Sequence, residues 1–100
     1  MADLAADELW TLVVEAREAP DQLLRVVNPV IVMGARLVAA TLERSPLGVT
    51  IRIEAQDLDP QGAETLRRRL QALPGVASVA LAWRSPDAGL RGQHLKPGPK

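Results

Sequence analysis

Two proline-led helical patterns, each set between runs of alternating apolar residues, restrict this 100-residue chain more than any other feature. The first starts at Pro20-Asp21. A first-turn proline lacks an N–H that would have no partner there, and an acidic residue suits the positive end of the helix. Leu23, Val27 and Val30 follow at helical spacing, with Leu24 and Ile31 widening the stripe, so this helix presents a broad apolar face. Pro29 falls inside the pattern. There it forfeits a backbone hydrogen bond and crowds the carbonyl of Arg25, at a cost of roughly 3 kcal/mol, which predicts a kink or a break. Gly34 stands where a left-handed residue closes a helix. In the second pattern Asp59-Pro60 supplies the cap and first turn, Ala63, Leu66, Leu70 and Leu73 mark one face, and Pro74-Gly75 stops it.

The intervening runs have the period of strands. From Leu9, Trp10, Leu12, Val14 and Ala16 fall on one side and Thr11, Val13, Glu15 and Arg17 on the other. Ala35 to Glu43 is apolar on both faces, with Leu37, Ala39 and Thr41 opposite Val38, Ala40 and Leu42. After the turn Arg44 to Gly48, Val49 to Ala55 alternates with Val49, Ile51, Ile53 and Ala55 inward, so the two runs predict a hairpin. Val76 to Arg84 gives a fourth strand, with Val79, Leu81 and Trp83 alternating with Ala80 and Ala82. Residues 1–8 are a polar, alanine-rich lead. Residues 85–100 carry prolines, glycines and scattered charges without periodicity, which predicts a disordered tail. The order strand, helix, strand, strand, helix, strand over residues 9–84 predicts an α+β, ferredoxin-like βαββαβ sandwich. Its four-stranded antiparallel sheet has order 4-1-3-2 and carries both helices on one face. Val13, Val38, Leu42, Thr50, Arg52, Ala80 and Ala82 are expected on the helix-free face, whose apolar half near strand two is a candidate for burial against another chain.

Composition removes whole classes of function. Twelve Lys plus Arg balance twelve Asp plus Glu, so no basic field exists to neutralise phosphates or attract an anionic membrane. The only aromatic residues are Trp10 and Trp83, too few for a base-stacking platform. With no cysteine, disulfides, thiolate metal sites and cysteine nucleophiles are absent. The acidic start MADLAADE has neither the basic nor the apolar region of a signal peptide, and no apolar run is long enough to span a bilayer, so a soluble, cytoplasmic protein is expected.

No catalytic constellation emerges. The single histidine, His94, lies in the tail with no second ligand. Arg67-Arg68-Arg69 is expected on the solvated side of the second helix. Trp10 and Trp83 fall on the inward faces of neighbouring strands and are expected to pack together in the core. Glu15 and Arg17 are expected on a solvated strand face.

The spacing of EAPDQLLRVVNPVIVMGARL, with the later LRRRLQALPGVASVAL, resembles an ACT domain, the amino-acid-sensing module found beside many metabolic enzymes. More narrowly it is similar to the small regulatory subunits of acetohydroxyacid synthase, especially the short isoform. The similarity covers about Leu9 to Arg84, with Leu23, Arg25, Val26, Gly34 and Leu73-Pro74-Gly75-Val76 in register. The resemblance implies a homodimer joined edge to edge along strand two, through Val38, Ala40 and Leu42. It also implies amino-acid sites between the strand-one turn of one subunit and the helix-one end of the other. The sensing positions it implies are Glu18, Asp21 and Arg36, framed by Gly34. A sensing member would carry Asn at Glu18, Gly at Asp21 and Asn at Arg36, so this chain departs from the pattern at all three.

The departure has a physical consequence independent of the resemblance. A carboxylate ligand is favoured at a helix N-terminus by free N–H groups and the dipole, but Asp21 puts a competing negative charge there. Arg36 from a neighbouring chain could hold a carboxylate, or Asp21 an ammonium, so loss of effector binding and altered specificity both stay open. The resulting expectation is a non-catalytic regulatory subunit without a cofactor of its own. It would bind and activate the large catalytic subunit of a thiamine-dependent synthase in branched-chain amino-acid biosynthesis. The alternative is a free-standing sensor of a small amino acid that acts on another partner. A small ferredoxin-like enzyme would need a titratable pair in a polar pocket, and the inward faces offer none.

Overall fold

The computed structural model describes residues 9–84. They form β1 (Leu9–Ala16), α1 (Gln22–Val32), β2 (Arg36–Ser45), β3 (Gly48–Gln56), α2 (Pro60–Gln71) and β4 (Val76–Arg84). The strands make one sheet in the order β2-β3-β1-β4 with every neighbouring pair antiparallel, which is the expected order read from the other edge. The lead, the tail and His94 lie outside the described residues.

β1 is a central strand and shows why the sheet has one wet face. Trp10, Leu12, Val14 and Ala16 are buried, while the residues between them are half-buried. Their cross-strand partners Ala55, Ile53, Ile51 and Val49 on β3, with Val79 and Leu81 on β4, are buried on the same side. Val26 and Val30 of α1 and Ala63, Leu66 and Leu70 of α2 belong to the same core, so both helices cover that face. Each fully buried branched aliphatic side chain contributes roughly 1.5–3 kcal/mol relative to exposure. Trp10 and Trp83 stand directly opposite each other with ring centroids 6.5 Å apart, and the Trp10 indole N–H donates to the Leu58 carbonyl at 2.9 Å. The indole is therefore buried without an orphaned donor.

The two helices start differently. Asp59 has extended backbone (φ −83°, ψ 170°), and its carboxylate accepts from the Gly62 N–H at 2.6 Å with Pro60 in the first turn. Asp21, at φ −106° and ψ 17°, is not extended, and its side chain makes no cap bond. Its carboxylate accepts instead from Arg25 Nε at 2.9 Å, so α1 begins at Gln22 and Pro20 remains in the preceding turn. The helix runs on through Pro29 to Val32 without the break that a proline could impose. It closes with Gly34 at φ +88°, whose N–H reaches the Ile31 carbonyl while the Ala35 N–H reaches that of Val30. Those two bonds are the paired closure that a left-handed glycine permits. α2 ends at Gln71, short of Leu73, because a residue preceding proline is forced out of helical conformation; Leu73 still packs on the core.

Strict alternation along β2 fails at one point. The register shifts between Leu37 and Ala39, leaving Val38 as an extra residue in a bulge. Leu37 opposes buried Ala55, but beyond the bulge it is Ala40 and Leu42 that oppose buried Ile53 and Ile51. Leu42 therefore lies on the helix side of the sheet, which corrects its expected place on the helix-free face. Val13, Thr50, Arg52, Ala80 and Ala82 do occupy the helix-free face, joined by Thr41.

The β2–β3 hairpin turns on Pro46 and Leu47. Two-residue hairpins favour positive φ within the turn, which neither residue adopts. Gly48, at φ +151°, absorbs the mismatch, and a Cβ there would collide with the Ala16 carbonyl oxygen. Gly48→Ala should therefore destabilise the fold by about 1–3 kcal/mol, read as a lower urea midpoint; an unchanged midpoint would refute this placement.

On α2 the arginine run is not uniformly solvated. Arg67 is tucked down, with Nε at 3.0 Å and Nη2 at 2.6 Å from the Glu64 carboxylate, while Arg68 and Arg69 are exposed. The Arg67 hydrogen bond holds the Glu64 carboxyl below its ordinary pKa. A depressed carboxylate stabilises the fold above its unfolded pKa and loses that contribution as pH falls through the folded value. Glu64→Gln should accordingly flatten the acid limb of the stability–pH curve while leaving the slope near neutrality unchanged, as followed by denaturant midpoints across pH.

Candidate functional site

The expected effector positions fall at two ends of one helix. Glu18 and Asp21 lie in the turn between β1 and α1, and Gly34 and Arg36 lie beyond the C-terminus of α1. Eleven helical residues separate the two ends by about 16 Å. A single chain thus does not bring the four positions together, and only a second copy could complete a site from both halves.

Each half has a definite electrostatic state. Glu18 forms an ion pair with Arg44 Nη2 at 3.1 Å across to β2, and Asp21 is held by Arg25 one helical turn away. Both pairs are about half exposed or more, so each contributes at most about 1 kcal/mol to stability. The acidic side chains already have cationic partners, and the Asp21 carboxylate stands beside the N–H groups of the α1 N-terminus that an anionic ligand would use. Arg36, exposed at the start of β2, makes no ion pair among the described residues.

Sequence reasoning did not single out Gln22. This first residue of α1 is buried to 2% exposure, and its side-chain amide nitrogen has no hydrogen-bond partner. A Cβ at Gly75, at φ +85°, would come within 3.4 Å of that nitrogen. Glutamine in a helical first turn reads as a surface residue, and nothing in its spacing signals burial. The signal lies in Pro74-Gly75, which brings the α2–β4 connection down over it.

The implied dimer residues are placed along the outer edge of the sheet. β2 is an edge strand with one side unpaired. On it Val38 is 49% exposed and Leu42 41% exposed, while Ala40 is half-buried against the core. Among the described residues no group of three or more His, Asp or Glu side chains is placed to hold a metal ion, and no helix is long and apolar enough to cross a membrane.

Two solved structures share this architecture. The chain is similar to the ACT domain of a GTP pyrophosphokinase from Chlorobium tepidum, with a TM-score of 0.64 and 12% identity over 73% of this chain and 95% of that one. It is also similar to the C-terminal domain of the MgtC protein from Mycobacterium tuberculosis, with a TM-score of 0.67 and 16% identity over 85% of this chain and 96% of that one. No protein-family model and no curated protein matches the chain. At these identities the likeness establishes the fold, an ACT-like βαββαβ sandwich.

Proposed function

We propose that this chain is a small, non-catalytic regulatory module that works as a homodimer joined along β2. More narrowly, it binds and activates the large subunit of acetohydroxyacid synthase in branched-chain amino-acid biosynthesis. The observation that carries the dimer is the free outer edge of β2, where Val38 and Leu42 are exposed beside unpaired backbone groups. An open strand edge with apolar side chains invites a second strand. The two solved structures described above are domains of larger proteins, which favours a module serving another polypeptide over an independent catalyst. The narrower identity of the partner rests on the sequence resemblance to the small synthase subunits.

Within the dimer, the frame of an effector site would be assembled from the Glu18–Asp21 turn of one copy and the Gly34–Arg36 segment of the other. The ion pairs of Glu18 and Asp21 argue that this frame supports assembly and no longer senses. Exposed Arg36, free of ion pairs among the described residues, favours a second reading in which the chain is a sensor of altered specificity acting on another partner.

Light scattering should give twice the chain mass, and Leu42→Glu should reduce it to the monomer. A monomeric parent protein, or a variant with unchanged mass, would remove the interface. Titration with valine, leucine or isoleucine should leave the amide resonances of Glu18, Asp21 and Gly34 unshifted. The double substitution Glu18→Asn with Asp21→Gly should produce saturable shifts. Saturable shifts in the unsubstituted protein would favour the sensor. Affinity capture from the native host should return a thiamine-dependent synthase, whose activity should rise several-fold on adding this chain; capture of unrelated partners alone would overturn the narrower reading.

A further inference from the structure

A groove of about 1020 Å³ opens at the end of the sheet where β1 passes into the turn before α1. Its floor is the cross-strand row Thr50–Glu15–Ser78 on the helix-free face. The tip of the β2–β3 hairpin walls one side and the segment entering β4 the other. None of Glu18, Asp21, Gly34 and Arg36 lines it, so it is separate from the effector frame.

Three polar groups line this groove, and two of them are charges that form no ion pair among the described residues. The Glu15 carboxylate is half-buried and accepts from Thr50 Oγ1 at 2.8 Å, yet it forms no ion pair among the described residues. Arg17, exposed just beyond the end of β1, also forms none among them, although it follows Glu15 by two positions. Ser45 Oγ is buried with no hydrogen-bond partner. The two charges fail to meet for a reason visible in their neighbours. Thr50 draws the Glu15 carboxylate toward β3. The Arg17 N–H donates to the Gly75 carbonyl at 2.9 Å, and a Cβ on Gly75 would lie 3.9 Å from the Arg17 Cβ, so the Arg17 backbone is held against the segment entering β4.

Glu15 offers a place for a cationic group and Arg17 for an anionic one, so a molecule carrying both charges can engage the two together. Two residues of extended chain span roughly 6.6 Å, the scale on which a dipeptide separates its terminal charges. The volume is that of pockets holding molecules larger than one amino acid. Pro46, Val76 and Leu47, the last 89% exposed, offer an apolar rim. We propose that this groove binds a short zwitterionic apolar peptide, its ammonium on Glu15, its carboxylate on Arg17 and its side chains against the hairpin tip. The proposal goes beyond the regulatory reading and stands whether or not the chain activates a synthase.

Nuclear magnetic resonance titration with the dipeptide Leu-Leu tests it directly. Saturable shifts are expected at the amides of Glu15, Thr50, Gly75 and Ser78. N-acetylation or C-terminal amidation of the dipeptide should each weaken binding at least tenfold, as should Glu15→Gln or Arg17→Gln in the protein, whereas Gln61→Ala on α2 should not. Free leucine, with its charges too close to reach both groups, should bind more weakly than the dipeptide. No saturable shift at millimolar Leu-Leu would overturn the proposal, as would equal binding of the blocked peptides. Tighter binding of leucine would overturn the assignment of a peptide. The amide spectra of the two variants report whether they remain folded, and Leu-Leu amide tests the Arg17 contact on the unsubstituted protein.

Discussion

The single apolar layer beneath β1 is the constraint on which the rest of this molecule depends. Trp10, Leu12, Val14 and Ala16 give the sheet one dry face, and their neighbours on β3 and β4 extend it in both directions. With only two helices available, both must lie on that face or leave part of it in water. The candidate sites consequently fall on the perimeter: the strand edge at β2, the two ends of α1, and the open face between the hairpin tip and the start of β4.

The bulge at Val38 is a small feature with a large effect on that perimeter. One extra residue reverses the facing of the remainder of β2, since side chains alternate with a period of two. It carries Leu42 to the helix side, where it opposes Ile51, and gives Ala39 and Thr41 to the open face. An edge strand tolerates such an insertion because only one of its sides is paired. The same insertion leaves Val38 without a cross-strand partner on an already open edge.

The contrast between the helix starts shows how local chemistry and tertiary setting divide the work. Asp59 caps α2 because its backbone is extended, and Asp21 fails to cap α1 because its backbone is not. Released from capping, Asp21 engages Arg25 and leaves a carboxylate beside the N–H groups of the α1 N-terminus. A turn with the outline of a ligand loop is thereby filled by the protein's own charges. The neighbouring groove is in the opposite condition, with Glu15 and Arg17 close in sequence and neither in an ion pair among the described residues.

Much of the fold was legible in the residues themselves. Periodicity separated strands from helices, Pro60 and Gly34 marked a start and a stop, and the order of elements left one simple topology, because local sterics and amphipathic spacing are written in adjacent residues. The pairing of Trp10 with Trp83 followed from that topology. Three features were decided only by tertiary structure. The bulge arises from matching β2 to β3, the burial of Gln22 from the descent of the Pro74-Gly75 connection, and the groove from two segments distant in sequence, the Pro46-Leu47 hairpin tip and the stretch from Gly75, that flank Glu15 on opposite sides. Each depends on contacts between segments distant along the chain, and periodicity, which reports only on neighbours, carries no record of them.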